Sequence, residues 1–383
     1  MRVSYIDYCG GDNMSIDAIL ERAVNGERLS MDDAVALYEC DEVEKLGEAA
    51  NKIMLKWHPE PITTFVIGRN VNYTNFCDTY CRFCAFYRAP GHNEGYVLKD
   101  EEIFKKIEET LAVDGTEILM QGGTNPNLPL SYYTDLLREI KKRYPSIWMH
   151  SFSPAEIWKI VEVSGLPVED VLRELHVAGL DSMPGGGAEI LTEETRLRVS
   201  RLKITWEQWI EAMKASKRVG MHGSATMVIG FGESFEERAL HLQRIRDAQD
   251  ETECFTAFIS WLFQPENTGM YKTKKLTSRD YLKNVAISRL FLDNIPNFQS
   301  SWVTMGPEVG KLSLQYGCND FGSTMMEENV VSAAGTTHKV NTNEILCLIR
   351  EAGKIPAQRD TKYGILRVFD GEETAAKDFI MQN

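Results

Sequence analysis

Cys77, Cys81 and Cys84 stand in the run Asn75-Phe-Cys-Asp-Thr-Tyr-Cys-Arg-Phe-Cys-Ala-Phe-Tyr, and their CxxxCxxC spacing puts three thiolates on one loop. An iron–sulfur cube has four corner irons. Three thiolates therefore leave one iron open to bind a small molecule directly, whereas electron-transfer clusters are normally closed by a fourth cysteine. Zinc could take the same three thiolates with His92, but structural zinc sites usually pair a close CxxC knuckle with a second, distant pair, and no such pair is present. Cys9, Cys40, Cys254, Cys318 and Cys347 are scattered singly and read as reduced, packed thiols rather than a disulfide framework.

This spacing, with Phe83 immediately before the third cysteine, resembles the radical S-adenosylmethionine (SAM) superfamily. The resemblance implies a 4Fe-4S cluster whose open iron chelates the amino and carboxylate groups of SAM. It also implies that one electron from the cluster splits the sulfonium to release a 5′-deoxyadenosyl radical.

Such a loop must be held by a scaffold, and the scaffold is legible. From Ser15 to about His58 the pattern is helical: Ser15 or Asp17 can cap a first segment, Ser30 with Asp33 starts a second, and a third runs from Asp41 toward Trp57. After Pro61, short apolar runs alternate with helical segments, the rhythm of parallel strands joined by helices. Candidate strands are Thr63 to Gly68, Thr116 to Gln121, Ile147 to Phe152, Gly179 to Met183, His222 to Ile229, Phe255 to Phe263, Asn297 to Val303 and Gly317 to Phe321. Eight strands suggest a closed α/β barrel, the (β/α)8 TIM type, with active-site residues just after the strands' C-terminal ends. The expected division is 1–14 as an upstream extension, 15–60 as a helical lead-in, 61–330 as the barrel, and 331–383 as a C-terminal extension packed on it.

The chain has 383 residues, 43% of them hydrophobic, enough to bury one large core. Its net charge of −14 argues against nucleic acid as a partner. No apolar stretch approaches the roughly 20 residues that span a bilayer, and the first residues lack a signal-peptide hydrophobic region. A cytoplasmic enzyme is the expectation.

The strand ends supply the remaining candidates. Gly122 and Gly123, after strand two, fit the superfamily's glycine-rich motif for the amino group of SAM. Ser153 and Glu156, after strand three, could reach its ribose hydroxyls, although Ser153 before Pro154 also reads as a helix cap. Gly185, Gly186 and Gly187 invite close backbone approach to a ligand, with Asp181, Ser182 and Glu189 as the polar groups delivered beside them. Arg196 or Arg198 beyond could pair with a carboxylate, exposed helix positions being the plainer reading. Gly230 could let the backbone pass the adenine, and Glu233 could simply begin a helix.

Three blocks narrow the resemblance: Cys81-Arg-Phe-Cys-Ala-Phe-Tyr-Arg, Asp181-Ser-Met-Pro-Gly-Gly-Gly-Ala-Glu-Ile, and Tyr316-Gly-Cys-Asn-Asp-Phe-Gly-Ser. They resemble a group comprising two futalosine-pathway menaquinone enzymes and the deazaflavin-forming synthases. Within it, Gly230-Phe-Gly-Glu-Ser-Phe-Glu-Glu-Arg and Phe255-Thr-Ala-Phe-Ile-Ser-Trp-Leu-Phe-Gln-Pro-Glu-Asn-Thr are similar to the dehypoxanthine futalosine cyclase (cyclic dehypoxanthinyl futalosine synthase) family. The resemblance runs from about Ser15 to Arg367. It implies hydrogen abstraction from the ribose 4′ carbon of dehypoxanthine futalosine and radical attack on the aryl ring, with a flavodoxin or ferredoxin as electron donor. The sister reactions, aminofutalosine synthesis or deazaflavin formation, and a non-catalytic iron–sulfur or zinc protein stay open. Candidates for the base that takes the last proton are His150, His176, His222 and Glu233. Candidate substrate contacts at strand ends are Arg69, Asp181, Gln264, Glu266, Asn319 and Asp320, with Trp261 and Trp302 able to flank an aromatic ring.

Overall fold

The computed structural model describes residues 15–375, so the expectation of an upstream extension over 1–14 lies outside the described residues. Eleven strands form one sheet: β1 Ile62–Val66, β2 Gly68–Val71, β3 Glu117–Met120, β4 Trp148–Ser151, β5 Ser182–Met183, β6 His222–Ile229, β7 Phe255–Leu262, β8 Asn297–Gln299, β9 Asp320–Ser323, β10 Ile355–Arg359 and β11 Ile365–Val368. The order is β11-β10-β1-β9-β8-β7-β6-β5-β4-β3-β2. All pairings are parallel except β10 with β11.

The sheet closes on itself. β1 and β2 are one chain run broken only at Ile67, with β9 beside β1 and β3 beside β2. Backbone bonds from Thr324 N to Val66 O (3.0 Å) and from Thr116 N to Ile67 O (3.0 Å) secure the two sides of that run. Counting β1 and β2 as one position leaves eight parallel positions, the TIM-type barrel expected from the alternating pattern. Strand β10 is extra: it pairs with the lower half of the shared run, Ile62 to Phe65, below the place where β3 takes over.

Helices cover the outside, and their caps are written locally. Ser30, Thr205, Ser234 and Thr277 each form a reciprocal capping box with Asp33, Gln208, Glu237 and Asp280, starting helices Met31–Glu39, Trp206–Arg218, Phe235–Thr252 and Ser278–Phe291. The lead-in helices pack on the outer face of the last two, and Tyr38 donates to Asn284 Oδ1 at 2.7 Å across that seam.

The tail closes the N-terminal end of the barrel. Arg359 makes a buried bidentate pair with Asp320 (2.5 and 3.0 Å), and Thr361 donates to Glu117 at 2.7 Å. A barrel closed below and open above sends ligands to one end, the end where the cysteine loop emerges.

Candidate active site

The cysteine loop leaves β2 and is pinned at its base. Cys77 N donates to Arg88 O (2.9 Å) and Arg88 N to Asn75 O (2.7 Å), so residues 76–88 form a closed excursion. The Arg88 guanidinium donates to the carbonyls of Ala85, Phe86 and Tyr87, filling the loop's interior. Cys77, Cys81 and Cys84 all line one cavity of about 280 Å³. Thr124 Oγ1 lies 3.1 Å from Cys77 Sγ, and the N–H groups of Phe86 and Tyr87 point at Cys84 Sγ. Burial pushes the Cys81 thiol up to about 12 and raises Cys84, so both hold their protons until a metal's charge displaces them.

The donor set fits a cube better than one ion. Among the described residues no three His, Cys, Asp or Glu side chains converge on a single metal position, which a tetrahedral zinc requires. In a cube each thiolate takes its own iron, so three thiols spread around one cavity are what is needed. His92 is exposed and absent from the cavity wall.

Gly123 touches this loop, while Gly122 packs on Tyr73 and Thr74 just before it. A Cβ on Gly123 would lie 2.2 Å from Phe76 O and 2.7 Å from Cys77 Cβ. The first duty of Gly123 is therefore contact with the cysteine loop. Glu156 was expected to contact ribose, but its carboxylate is filled by Tyr73 Oη (2.9 Å), Gly122 N (2.8 Å), Ser153 N (2.8 Å) and Ser153 Oγ (2.7 Å). Glu156 holds the glycine turn. Burial pulls its pKa up to about 7 against those four bonds. Ser153 is both the helix cap and part of the cavity wall.

Across the cavity, Glu189 is buried, with one oxygen 2.8 Å from Lys203 Nζ and the other, Oε2, without a hydrogen-bond partner. That second oxygen is sealed from solvent 3.8 Å from Arg196 Nη1, so Glu189 stands on the wall of the cysteine cavity between two cations, Lys203 and Arg196. Arg196 is not the exposed helix residue of the plainer reading: it is buried and donates to the carbonyls of Gly187, Ala188 and Ile204, bracing the triple-glycine turn. Phe83, Phe231 and Phe263 form an aromatic wall with centroids 4.9 to 6.5 Å apart, and Lys203 Nζ lies 5.4 Å from the Phe83 ring. Gly230 is off the cavity wall, but its φ of 109° turns the chain so that Phe231 reaches the wall. Gln264 lines this cavity and donates to Leu262 O at 3.1 Å.

A second cavity of about 260 Å³ occupies the barrel interior. It meets the first at Gln121, Gly186, Thr226, Trp261, Val330 and Val331, which line both. His150, Glu117 and Trp302 lie on its wall, and Arg359, Thr361 and Tyr363 from the tail complete it. A reactive species made beside the cysteines would reach a second molecule in the barrel through this neck, away from bulk water.

Several expected site residues stand elsewhere. Arg69 points outward and pairs with Glu109 (2.5 Å) and Glu327 (2.9 Å), bracing the helix Asp100–Ala112. Asp181 precedes β5 and accepts from Lys141 Nζ (2.5 Å) and Met149 N (2.8 Å), at the closed end. Asn319 is spent on Arg289 and Phe298 N, and Asp320 on Arg359 and Thr64. Glu266 is exposed and lies 3.7 Å from Lys275. Of the four base candidates, His176 is exposed on a helix, His222 opens β6 at the closed end beside Lys217, and Glu233 is buried against Arg238 (2.7 Å) while capping the N–H groups of Gly230 and Phe231. Of the four, His150 is the one that lines either of the two cavities. Lys203, Glu117 and the tail residues escaped the sequence reading, because none sits in a motif and only the closed barrel brings them inward; Gln121 reads in the sequence only as the end of strand two, beside the glycine pair.

Residues 71–245 match the radical SAM superfamily, and residues 252–370 match the family described as CofH/MqnC C-terminal region. The chain is 86% identical over 370 residues to cyclic dehypoxanthine futalosine synthase of Halalkalibacterium halodurans, covering 97% of this chain and 100% of that one. It is 42% identical to the protein of the same name from Streptomyces coelicolor, covering 94% and 91% respectively. Among solved structures, the FeFe-hydrogenase maturase HydG superposes with a TM-score of 0.71 at 15% identity, covering 91% of this chain and 76% of that one, a likeness of fold alone.

Proposed function

The chain belongs to the radical SAM superfamily, in the branch that ends in the CofH/MqnC C-terminal region, and from that premise we propose that it cyclises dehypoxanthine futalosine to cyclic dehypoxanthine futalosine in menaquinone biosynthesis. In that reaction hydrogen leaves the ribose 4′ carbon, and the carbon radical closes on the aryl ring. The observation that carries the reading is the pair of joined cavities, one walled by the three cysteines and the other enclosed in the barrel.

When bound, the 4Fe-4S cluster supplies the electron that cleaves SAM to a 5′-deoxyadenosyl radical. Cys77, Cys81 and Cys84 would hold the cluster. Glu189 and Ser153, both on the cavity wall, would take polar groups of SAM, and the Phe83, Phe231 and Phe263 wall would carry its adenine. The neck, walled by Gln121, Gly186, Thr226, Trp261, Val330 and Val331, would set the distance between the reacting carbons. The apolar walls and the sealed floor exclude water from the radical.

Among the described residues no helix is long and apolar enough to cross a membrane, and a cytoplasmic enzyme with a small flavodoxin or ferredoxin as electron donor is part of this proposal. The test is anaerobic turnover with SAM, a reductant and substrate deuterated at the ribose 4′ carbon. Spirocycle formation with one labelled 5′-deoxyadenosine per product is expected. Turnover of a sister substrate instead, or spirocycle formed with no label in 5′-deoxyadenosine, would sink the reading.

A further inference from the structure

Behind the barrel cavity three side chains form a short hydrogen-bond chain whose proton count is fixed. Trp148 Nε1 lies 2.8 Å from Ser182 Oγ and can only donate. Ser182 Oγ lies 2.7 Å from His150 Nδ1, is buried, and is not on the cavity wall. A serine hydroxyl that accepts from an indole must still place its own proton, and the acceptor in reach is His150 Nδ1. The opposite arrangement, with a proton on Nδ1, would leave the Ser182 hydrogen buried without an acceptor.

Nδ1 is therefore bare. Burial lowers the proton affinity of this imidazole, so the neutral ring carries its one hydrogen on Nε2. Nε2 has no partner among the described residues and is not among the sealed polar atoms, and His150 lines the cavity. The neighbouring carboxylate, Glu117, takes the Thr361 hydroxyl at 2.7 Å rather than the ring.

We infer that His150 is a hydrogen-bond donor, through Nε2–H, to an oxygen of the substrate in the barrel, and not the base that takes the proton released on ring closure. The inference rests on the substrate reading above. Register fixes the depth: His150 pairs with Leu119 on β4 and β3, and Gln121 at the neck lies two residues further along. One such repeat is about 7 Å along a strand. The acceptor thus sits about 7 Å below the neck at Gln121, on the part of the substrate that enters the barrel first.

The isosteres separate a donor from a base. A glutamine amide can place its nitrogen where Nε2 stands, an asparagine amide reaches only the Nδ1 position, and a phenylalanine offers neither. With holoenzyme, His150→Gln should keep the substrate KM within about threefold and the ratio of 5′-deoxyadenosine to spirocycle near that of the wild type. His150→Asn and His150→Phe should raise KM about tenfold or more and release extra 5′-deoxyadenosine per spirocycle. Loss of product by all three alike, with deuterium still leaving the 4′ carbon, would make His150 the base and overturn the inference. Nitrogen NMR of 15N-histidine-labelled wild-type enzyme, with His150→Gln identifying the signal, reads the tautomer directly. A bare Nδ1 supports the inference, and a protonated Nδ1 refutes it. Failure of the wild type to form any spirocycle would instead sink the substrate reading, leaving the spectrum to judge the tautomer.

Discussion

Replacing Gly123 with alanine should cost the protein its cluster before it costs the fold. The added methyl would stand 2.2 Å from Phe76 O and 2.7 Å from Cys77 Cβ. Ordinary contact begins near 3.5 Å, so the glycine turn and the cysteine loop must part by about 1 Å. Neither side yields freely: Cys77 N is held by Arg88 O at 2.9 Å, Asp78 N by Thr124 O at 3.3 Å, and Gly123 N by Thr74 O at 3.0 Å. Overpacking of this kind costs about 1–3 kcal/mol, and one stretched hydrogen bond adds about 1 kcal/mol. The sum, about 2–4 kcal/mol, corresponds to a melting point lower by roughly 2–5 °C for a chain of this length. A 1 Å displacement of a ligating sulfur is a far larger insult to the cluster, and SAM cleavage should fall on the order of a hundredfold. The assay is iron and sulfide content after anaerobic reconstitution, visible absorption, and 5′-deoxyadenosine release, beside thermal unfolding. Gly26→Ala is the control, since no atom lies within 4 Å of its Cβ and only the helix cap suffers. Full iron content and SAM cleavage within about twofold of wild type in Gly123→Ala would refute the contact reasoning.

Glu189→Gln should leave iron content unchanged and weaken SAM about 10- to 100-fold, the worth of one charge-assisted hydrogen bond; an unaltered KM for SAM would reduce Glu189 to a partner for Lys203. Arg359→Met leaves the Asp320 carboxylate buried and unpaired and should lower stability by about 3–5 kcal/mol in denaturant titration, so a loss below about 1 kcal/mol would mean the barrel floor does not depend on the pair. His241 is buried, accepts from Leu191 N at 3.0 Å, and is held by burial at a pKa of about 3 against an ordinary 6.5. Between those values the folded protein binds fewer protons than the unfolded chain, so stability is complete above pH 6.5 and falls as pH drops, by up to about 1.4 kcal/mol per pH unit. His241→Asn keeps an acceptor for Leu191 N and should make the acid limb of the stability curve shallower; an unchanged slope would show that other groups set it.

Most of the architecture was local information. Strand periodicity, capping residues such as Ser30 and Thr277, and the CxxxCxxC spacing depend on neighbours a few positions apart, and a chain carries those relations before it folds. The eight strand positions and the cysteine loop were therefore legible in the sequence. The charged and polar candidates were not, because a side chain's role depends on what faces it across the barrel. Arg69 and Asp181 look like ligands beside a strand, yet the strand's register points them at Glu109 and Lys141, on helices roughly 40 residues away along the chain. Glu156 reads as a free carboxylate until Tyr73, 83 residues earlier, fills one of its oxygens. Conversely Lys203 and the tail residues Arg359, Thr361 and Tyr363 carry no local signature. Closure of the sheet through β1 and β2, with β10 laid beneath β3, is what turns the tail into a cavity floor. The sequence alone determined which chemistry the chain could hold, since thiolate number and spacing are covalent facts. Only the tertiary structure decided which polar groups remain unspent to serve it, since that follows from long-range pairing in a buried interior where an unpaired group is costly.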